Sequence, residues 1–311
     1  MTLSTIDLSS FERVGHGLAR PEDVVVGRDG RVWASDRHSA CAEILPGGGL
    51  RRVGHAGGEP NGINMDAQGR IVIANFGNGL LQRLDPDAGR LDVLCAQIGG
   101  RRLSTSNYPI VDRAGNIWCS HSTSSEPFTA CFDGRADGML YRVRANGVAE
   151  IMAEGIQFAN GLALDADESH IYVCQTTGCN VLRYAIKADG TLGPPEEYGP
   201  RLGEYFSPLT ATGTPRPPED QRRLGCPDGC GFDVDGNLWV TLVAANKIVA
   251  ITPAGKLVTV VDDPSGSVLA TPTNVTWSGA DMRDLYIGSY ATAYVLKTRS
   301  PVPGLRLAHQ G

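Results

Sequence analysis

Six polar residues stand at matching places along the 311-residue chain: Glu22, Asn61, Asn107, Asn160, Asp228 and Thr273. Each follows a proline or a small residue and opens an apolar run, as in Pro21-Glu22, Ala159-Asn160-Gly161-Leu162 and Pro227-Asp228-Gly229. Two carboxylates, three amides and a hydroxyl share one property, oxygen atoms able to face a hard cation. Two carboxylates enclosed together repel, and one must take up a proton unless a counter-ion joins them. A divalent cation meets that need. An all-oxygen set without His or Cys favours Ca²⁺, Mg²⁺ or Mn²⁺ over Zn²⁺. Asn and Asp beside Pro or Gly are also ordinary turn residues, and for Asn61 and Thr273 a strand-capping role stays open beside the ligand role.

The six residues are brought together by a repeat. Glu22 to Val32, Asn61 to Ile71, Asn107 to Ile117 and Asp228 to Leu238 keep one spacing, and Asn160 to Ile171 and Thr273 to Leu285 exceed it by one and two residues. Each unit alternates apolar and polar residues, is rich in Val, Ile, Leu and aromatics, and breaks at an Asp/Gly turn such as Arg28-Asp29-Gly30. Those are strand and hairpin signals. A further strand pair follows in most units. Four antiparallel strands recurring every ~50 residues describe a propeller blade. The expected fold is all-β, a six-bladed β-propeller formed by residues 1–311 as a single domain. Arg-Val-Gly-His occurs both at 13–16, ahead of blade 1, and at 52–55, ahead of blade 2. In the second place it is an outer strand, so residues 11–16 are expected to supply the outer strand of blade 6 and close the ring without a free edge.

In such a blade the inner strands begin on one face. The long insertions, 121–138 and the Pro-rich 193–225, belong to that same face, where sites are commonly built on a rigid scaffold. The 193–225 segment holds seven prolines (194, 195, 200, 208, 215, 217 and 218) and the aromatics Tyr198, Tyr205 and Phe206. It reads as a stiff loop offering an apolar wall. Tyr108, beside Asn107, is expected on the same side of the mouth. Arg101 and Arg102 read either as a carboxylate clamp or as a solvated strand end. His121, on the functional face, reads as a substrate contact or alternative base, while His16 and His55 end outer strands and read as structural.

On these residues the sequence resembles the senescence marker protein/regucalcin/gluconolactonase family of six-bladed propeller hydrolases. The resemblance implies a metal-dependent lactonase in which Glu22, Asn160 and Asp228 bind one divalent ion, with Asn107 as fourth ligand or substrate contact. Ca²⁺ is the first expectation, with Mn²⁺, Mg²⁺, Zn²⁺ or Fe²⁺ as alternatives. Asp228 is the expected general base, and Asn107 with the metal would stabilise the oxyanion. Asn61, Asn107, Tyr108 and His121 are the expected substrate contacts. Sugar lactonases commonly carry Asn-Asp where this chain has Asn107-Tyr108, which implies a less sugar-like lactone. A strictosidine-synthase-like lyase or condensing enzyme and a non-catalytic ligand-binding propeller are the alternative readings.

Composition narrows the partners. With 28 Lys and Arg against 34 Asp and Glu, the net charge is −6, which disfavours a nucleic-acid partner. The N-terminal segment lacks a signal-peptide core and no apolar run reaches a membrane span, so the expectation is a cytoplasmic protein acting on a small molecule. Eight cysteines without a Cys-x-x-Cys pair exclude a zinc ribbon, and reduced thiols are expected. No Gly-x-Ser-x-Gly elbow supports serine-esterase chemistry.

Overall fold

The computed structural model describes residues 3–205, 207, 214 and 216–311. Six four-stranded antiparallel sheets form the blades of a β-propeller. Their inner strands are Val24–Val26, Pro60–Met65, Ser106–Val111, Ala159–Leu164, Pro227–Phe232 and Pro272–Ser278. The apolar face of each blade is buried against its neighbour. Val25 and Trp33 of blade 1 pack with Ile63 and Ile71 of blade 2. Trp239 of blade 5 meets Trp277 of blade 6 edge-on, with ring centroids 5.2 Å apart, a favoured aromatic arrangement.

The Asp/Gly turn between first and second strands has a specific chemistry. Asp233 accepts hydrogen bonds from the backbone N–H of Asp235 and Asn237 and, at 2.9 Å, from Trp239 Nε1. Asp112 does the same for Asn116 N–H and, at 3.0 Å, for Trp118 Nε1. One carboxylate thus satisfies the turn and anchors a buried indole that separates two blades.

Ring closure follows the expected route. Glu12–Val14 pairs antiparallel with Val295–Arg299, Glu12 opposite Lys297 and Val14 opposite Val295. Residues beyond that last strand cross under the channel, where Leu305 N–H donates to Phe232 O at 2.9 Å and Gln310 Nε2 to Trp277 O at 2.9 Å. The channel is therefore covered at that end and open at the face where the inner strands start. Part of the predicted 193–225 loop is regular structure, since Glu196–Tyr198 is the outer strand of blade 4. A small hairpin, Gln97–Ile98 with Arg101–Arg102, adds to blade 2's exit. Among the described residues no helix is long and apolar enough to cross a membrane.

Removing residues 1–17 deletes the closing strand and bares an edge on blade 6. The expected outcome is loss of cooperative thermal unfolding or aggregation in light scattering. A truncated protein that unfolds cooperatively at the wild-type midpoint would show that the closing strand is dispensable.

Candidate functional site

Five of the ring residues owe their position to a backbone irregularity. Asn61, Asn107, Asn160, Asp228 and Thr273 are each the second residue of an inner strand and lie at a break in its pairing register. A bulge re-aims a side chain that regular alternation would bury elsewhere. After Asn61, Asn160 and Asp228 the next residue is glycine, which lets neighbouring inner strands close up. A Cβ on Gly161 would stand 2.5 Å from Asp228 O, and one on Gly229 2.4 Å from Thr273 O. Thr273 itself is a tie, its hydroxyl donating to Glu22 O at 2.6 Å.

Two of the amides are oriented by hydroxyls. Thr176 Oγ1 donates to Pro227 O at 2.9 Å and therefore accepts from Asn160 Nδ2 at 3.1 Å. Ser122 Oγ donates to Ala159 O at 2.8 Å and accepts from Asn107 Nδ2 at 2.9 Å. In both cases the hydroxyl's single proton is committed to a carbonyl of the adjacent strand, so the amide must turn its NH₂ outward and its oxygen away from the hydroxyl. Asn107 thus offers an oxygen acceptor where sequence reasoning wanted an oxyanion donor. Asn61 Nδ2 donates to Asn107 Oδ1 at 3.1 Å.

Glu22 and Asp228 are the charged members. Burial pushes the pKa of both up, and for Asp228 the nearby Glu22 carboxylate raises it further, while the Arg20 guanidinium acts in the opposite direction on each. Arg20 Nη2 lies 2.6 Å from Glu22 Oε1, its Nη1 donates to Asn61 Oδ1 at 2.8 Å, and its Nε is 3.2 Å from Glu59 Oε2. Glu59 also accepts from Arg37 at 2.7 Å. Among the described residues no three of His, Cys, Asp and Glu converge in a metal-binding arrangement. A cation on this floor would draw on two carboxylates and on amide oxygens. That set fits a hard divalent ion, because it is all oxygen and carries two enclosed negative charges.

Above the floor opens a cavity of about 780 Å³ that includes Glu22, Asn160 and Asp228. Its apolar walls come from Phe76, Phe158, Tyr205, Tyr290, Leu224 and Val243. The Phe76 and Phe158 rings stand 6.4 Å apart, and Arg20 lies over Phe76.

Other expected contacts lie elsewhere. Tyr108 is buried below the floor, where its hydroxyl accepts from Asn274 Nδ2 at 3.0 Å and its ring borders a small apolar void with Leu162 and Val275. His121 is fully buried. Its Nε2 accepts from Ser104 N–H at 3.1 Å and Thr105 N–H at 3.3 Å, and burial pushes its pKa down to about 4. Ser104 Oγ is 3.1 Å from the same nitrogen. A ring nitrogen already accepting two amides is a poor base for that hydroxyl, and Nδ1 has no hydrogen-bond partner among the described residues. Arg101 and Arg102 are exposed, Arg101 pairing with Glu154 at 2.7 Å. His16 and His55 are exposed on the outside. Tyr198 packs edge-on against Tyr172 at 4.9 Å on an outer strand. Phe206, Pro208 and Pro215 lie outside the described residues. Sequence reasoning missed Arg20, Glu59, Phe76, Phe158, Ser122 and Thr176. Ser122 and Thr176 left a signal, since they follow their asparagines by 15 and 16 residues and each comes directly after the second strand of its blade.

A six-bladed propeller with a ring of carboxylates and amides at the mouth of its channel defines a class of scaffold that hosts several chemistries. Residues 60–291 match the family model described as SMP-30/gluconolactonase/LRE-like region, and the chain belongs to that family. Residues 6–38 match the strictosidine synthase-like N-terminal model. The chain is 23% identical over 256 residues to the gluconolactonase of Zymomonas mobilis, covering 77% of this chain and 65% of that one. It is 30% identical over 190 residues to the 6-deoxy-6-sulfogluconolactonase of Pseudomonas putida, covering 61% and 55%. The alignments thus span less than two thirds of these relatives' length. A solved gluconolactonase from Xanthomonas campestris superposes with a TM-score of 0.71 at 23% identity, over 96% of this chain and 94% of that one. Regucalcin from Agrobacterium tumefaciens, a calcium-binding protein, superposes with 0.66 at 15%, over 98% of both.

The raised carboxyls set a pH signature for the metal-free protein. A carboxyl whose folded pKa is raised contributes stability fully present below its unfolded value of about 4 and lost as pH rises through the folded value. Asp228→Asn, which imitates the neutral acid, should unfold at a higher temperature than wild type near pH 7.5 in chelator. The shift is about 2–4 °C per kcal/mol, and the gap should close toward about pH 4. A gap independent of pH, or a destabilised variant, would contradict the assigned repulsion.

Proposed function

We propose that the protein is a metal-dependent lactonase that opens a cyclic ester in the funnel. The observation that carries this reading is the floor, where Glu22 and Asp228 line one cavity with Asn160, whose amide is turned by Thr176. Glu22, Asn160 and Asp228 would hold the ion, with Asn107 as a fourth oxygen. Ca²⁺ leads the candidates, followed by Mn²⁺, Mg²⁺, Zn²⁺ or Fe²⁺. Such an ion supplies Lewis acidity to the lactone carbonyl and to the attacking water.

Asp228 is the base that accepts the water's proton. As a ligand of the ion Asp228 would be a weak base, but it needs only to accept a proton from a water that the ion would already have acidified. The water oxygen bonds to the carbonyl carbon, the ring C–O bond breaks, and the leaving alkoxide takes the proton that Asp228 holds. The Phe76, Phe158, Tyr205 and Tyr290 walls support lactones with apolar substituents over polyhydroxylated sugar lactones. A strictosidine-synthase-like activity is the second reading, supported by the match over residues 6–38, which includes Glu22.

A lactone panel spanning sugar, aliphatic and aryl rings tests both. Hydrolysis of the apolar members, abolished by chelator and restored by Ca²⁺ or Mn²⁺, is the expected result. Asp228→Asn should lower kcat about 10²–10⁴-fold. Hydrolysis undiminished in chelator refutes metal dependence, and inactivity across the panel with metal bound favours the second reading. Thr176→Val removes the hydroxyl that turns Asn160 and should weaken Mn²⁺ binding about 10–100-fold in calorimetry. Unchanged affinity would mean that Asn160 is held without it.

A further inference from the structure

We propose that Arg20 is a built-in counter-ion for the funnel floor, which a divalent cation displaces from Glu22 onto Glu59, so that this one side chain sets the metal affinity of the site. The inference rests on the metal-site reading above. A guanidinium 2.6 Å from Glu22 Oε1 occupies the electrostatic place that a cation would take. It is also a hydrogen-bond donor to Asn61 Oδ1 at 2.8 Å, so Glu22 and Asn61 are both satisfied within the chain.

The side chain is held there against its own backbone. Arg20 has φ +56°, a left-handed conformation that favours glycine, directly before Pro21. Such a conformation persists in a bulky residue where surrounding contacts overdetermine it. Here those contacts are the three to Glu22, Asn61 and Glu59.

The alternative resting place already exists. Glu59 Oε2 is 3.2 Å from Arg20 Nε, and it stands higher on the funnel wall with Arg37. Leaving Glu22 therefore does not strand Arg20 without a partner. Arg20 breaks one ion pair and keeps another, while Glu22 passes from a monovalent to a divalent partner. The Glu22–Arg20 pair is mostly shielded, with side chains 8% and 18% exposed, so the competition is weakly screened by salt.

The test is calorimetric titration of metal-free wild type, Arg20→Gln and Arg20→Lys with Mn²⁺ and with Ca²⁺. Arg20→Gln should bind about tenfold more tightly or better, while Arg20→Lys, which keeps the charge, stays near wild type. In parallel, the metal-free thermal midpoint of Arg20→Gln should fall and its rise on adding metal should exceed that of wild type. Arg20→Gly, suited to the left-handed backbone, serves if Arg20→Gln misfolds. Binding by Arg20→Gln but not by wild type supports the proposal. Equal or weaker binding by a folded Arg20→Gln overturns it and leaves the metal reading standing. If neither protein binds either ion, the metal reading fails and the proposal falls with it.

Discussion

Two carboxylates, Glu22 of blade 1 and Asp228 of blade 5, face one enclosed floor; burial raises the cost of ionising both, and the Glu22 charge raises it further for Asp228. Left to relax, like charges separate. They stay together because the ring is closed by a strand that pairs the chain's first blade-forming segment with its last. They are also close because Gly229 and Gly288 remove the atoms that would hold blade 5 away from blade 6 and blade 6 away from blade 1. Closure, close approach and hydroxyl ties all act on the same few ångströms, and charge is what makes that space chemically useful.

A second buried acid shows how the floor is braced from below. Asp23 accepts from Ile63 N–H at 2.8 Å, from Val24 N–H at 2.8 Å and from Asn274 Nδ2. It therefore ties the inner strands of blades 1, 2 and 6, and burial pushes its pKa up to about 7. Asn274 passes the same network on to Tyr108 of blade 3. Tyr108 is thus a strut beneath the site, and its hydroxyl is engaged with the scaffold.

The blades were legible in the sequence because their chemistry is local. Asp66 and Asp233 accept from amides two and four residues on, and Asp112 from the amide four on, so the motif and the structure it makes are read from one short window. The ring residues were legible for a related reason: equal register in repeated units places equal positions at equal depth. What sequence could not give is direction. Tyr108 is next to Asn107 yet turns below the floor, and His121 ends a strand on the functional face yet spends its lone pair on two amides. Arg20 and Glu59 lie between blades, outside the repeat, and only the folded ring brings them together. The outer strand Glu196–Tyr198 was hidden by its composition, because charged residues next to prolines look like loop.

The presence of a guanidinium at Glu22 changes how the carboxylate ring should be understood. Two acids alone in an enclosed place would make an empty site unstable and force a proton or an ion onto it. With Arg20 and Glu59 added, the floor and its wall carry acids and bases that can pair among themselves. On the proposed reading such a floor would not need an ion to fold, because Arg20 already compensates Glu22. An ion would then gain less from entering a partly compensated floor, but would find Asn160 and Asn107 already turned by their hydroxyls. The rigid scaffold that holds those oxygens would be the fixed part of such a site, and the cation the exchangeable one.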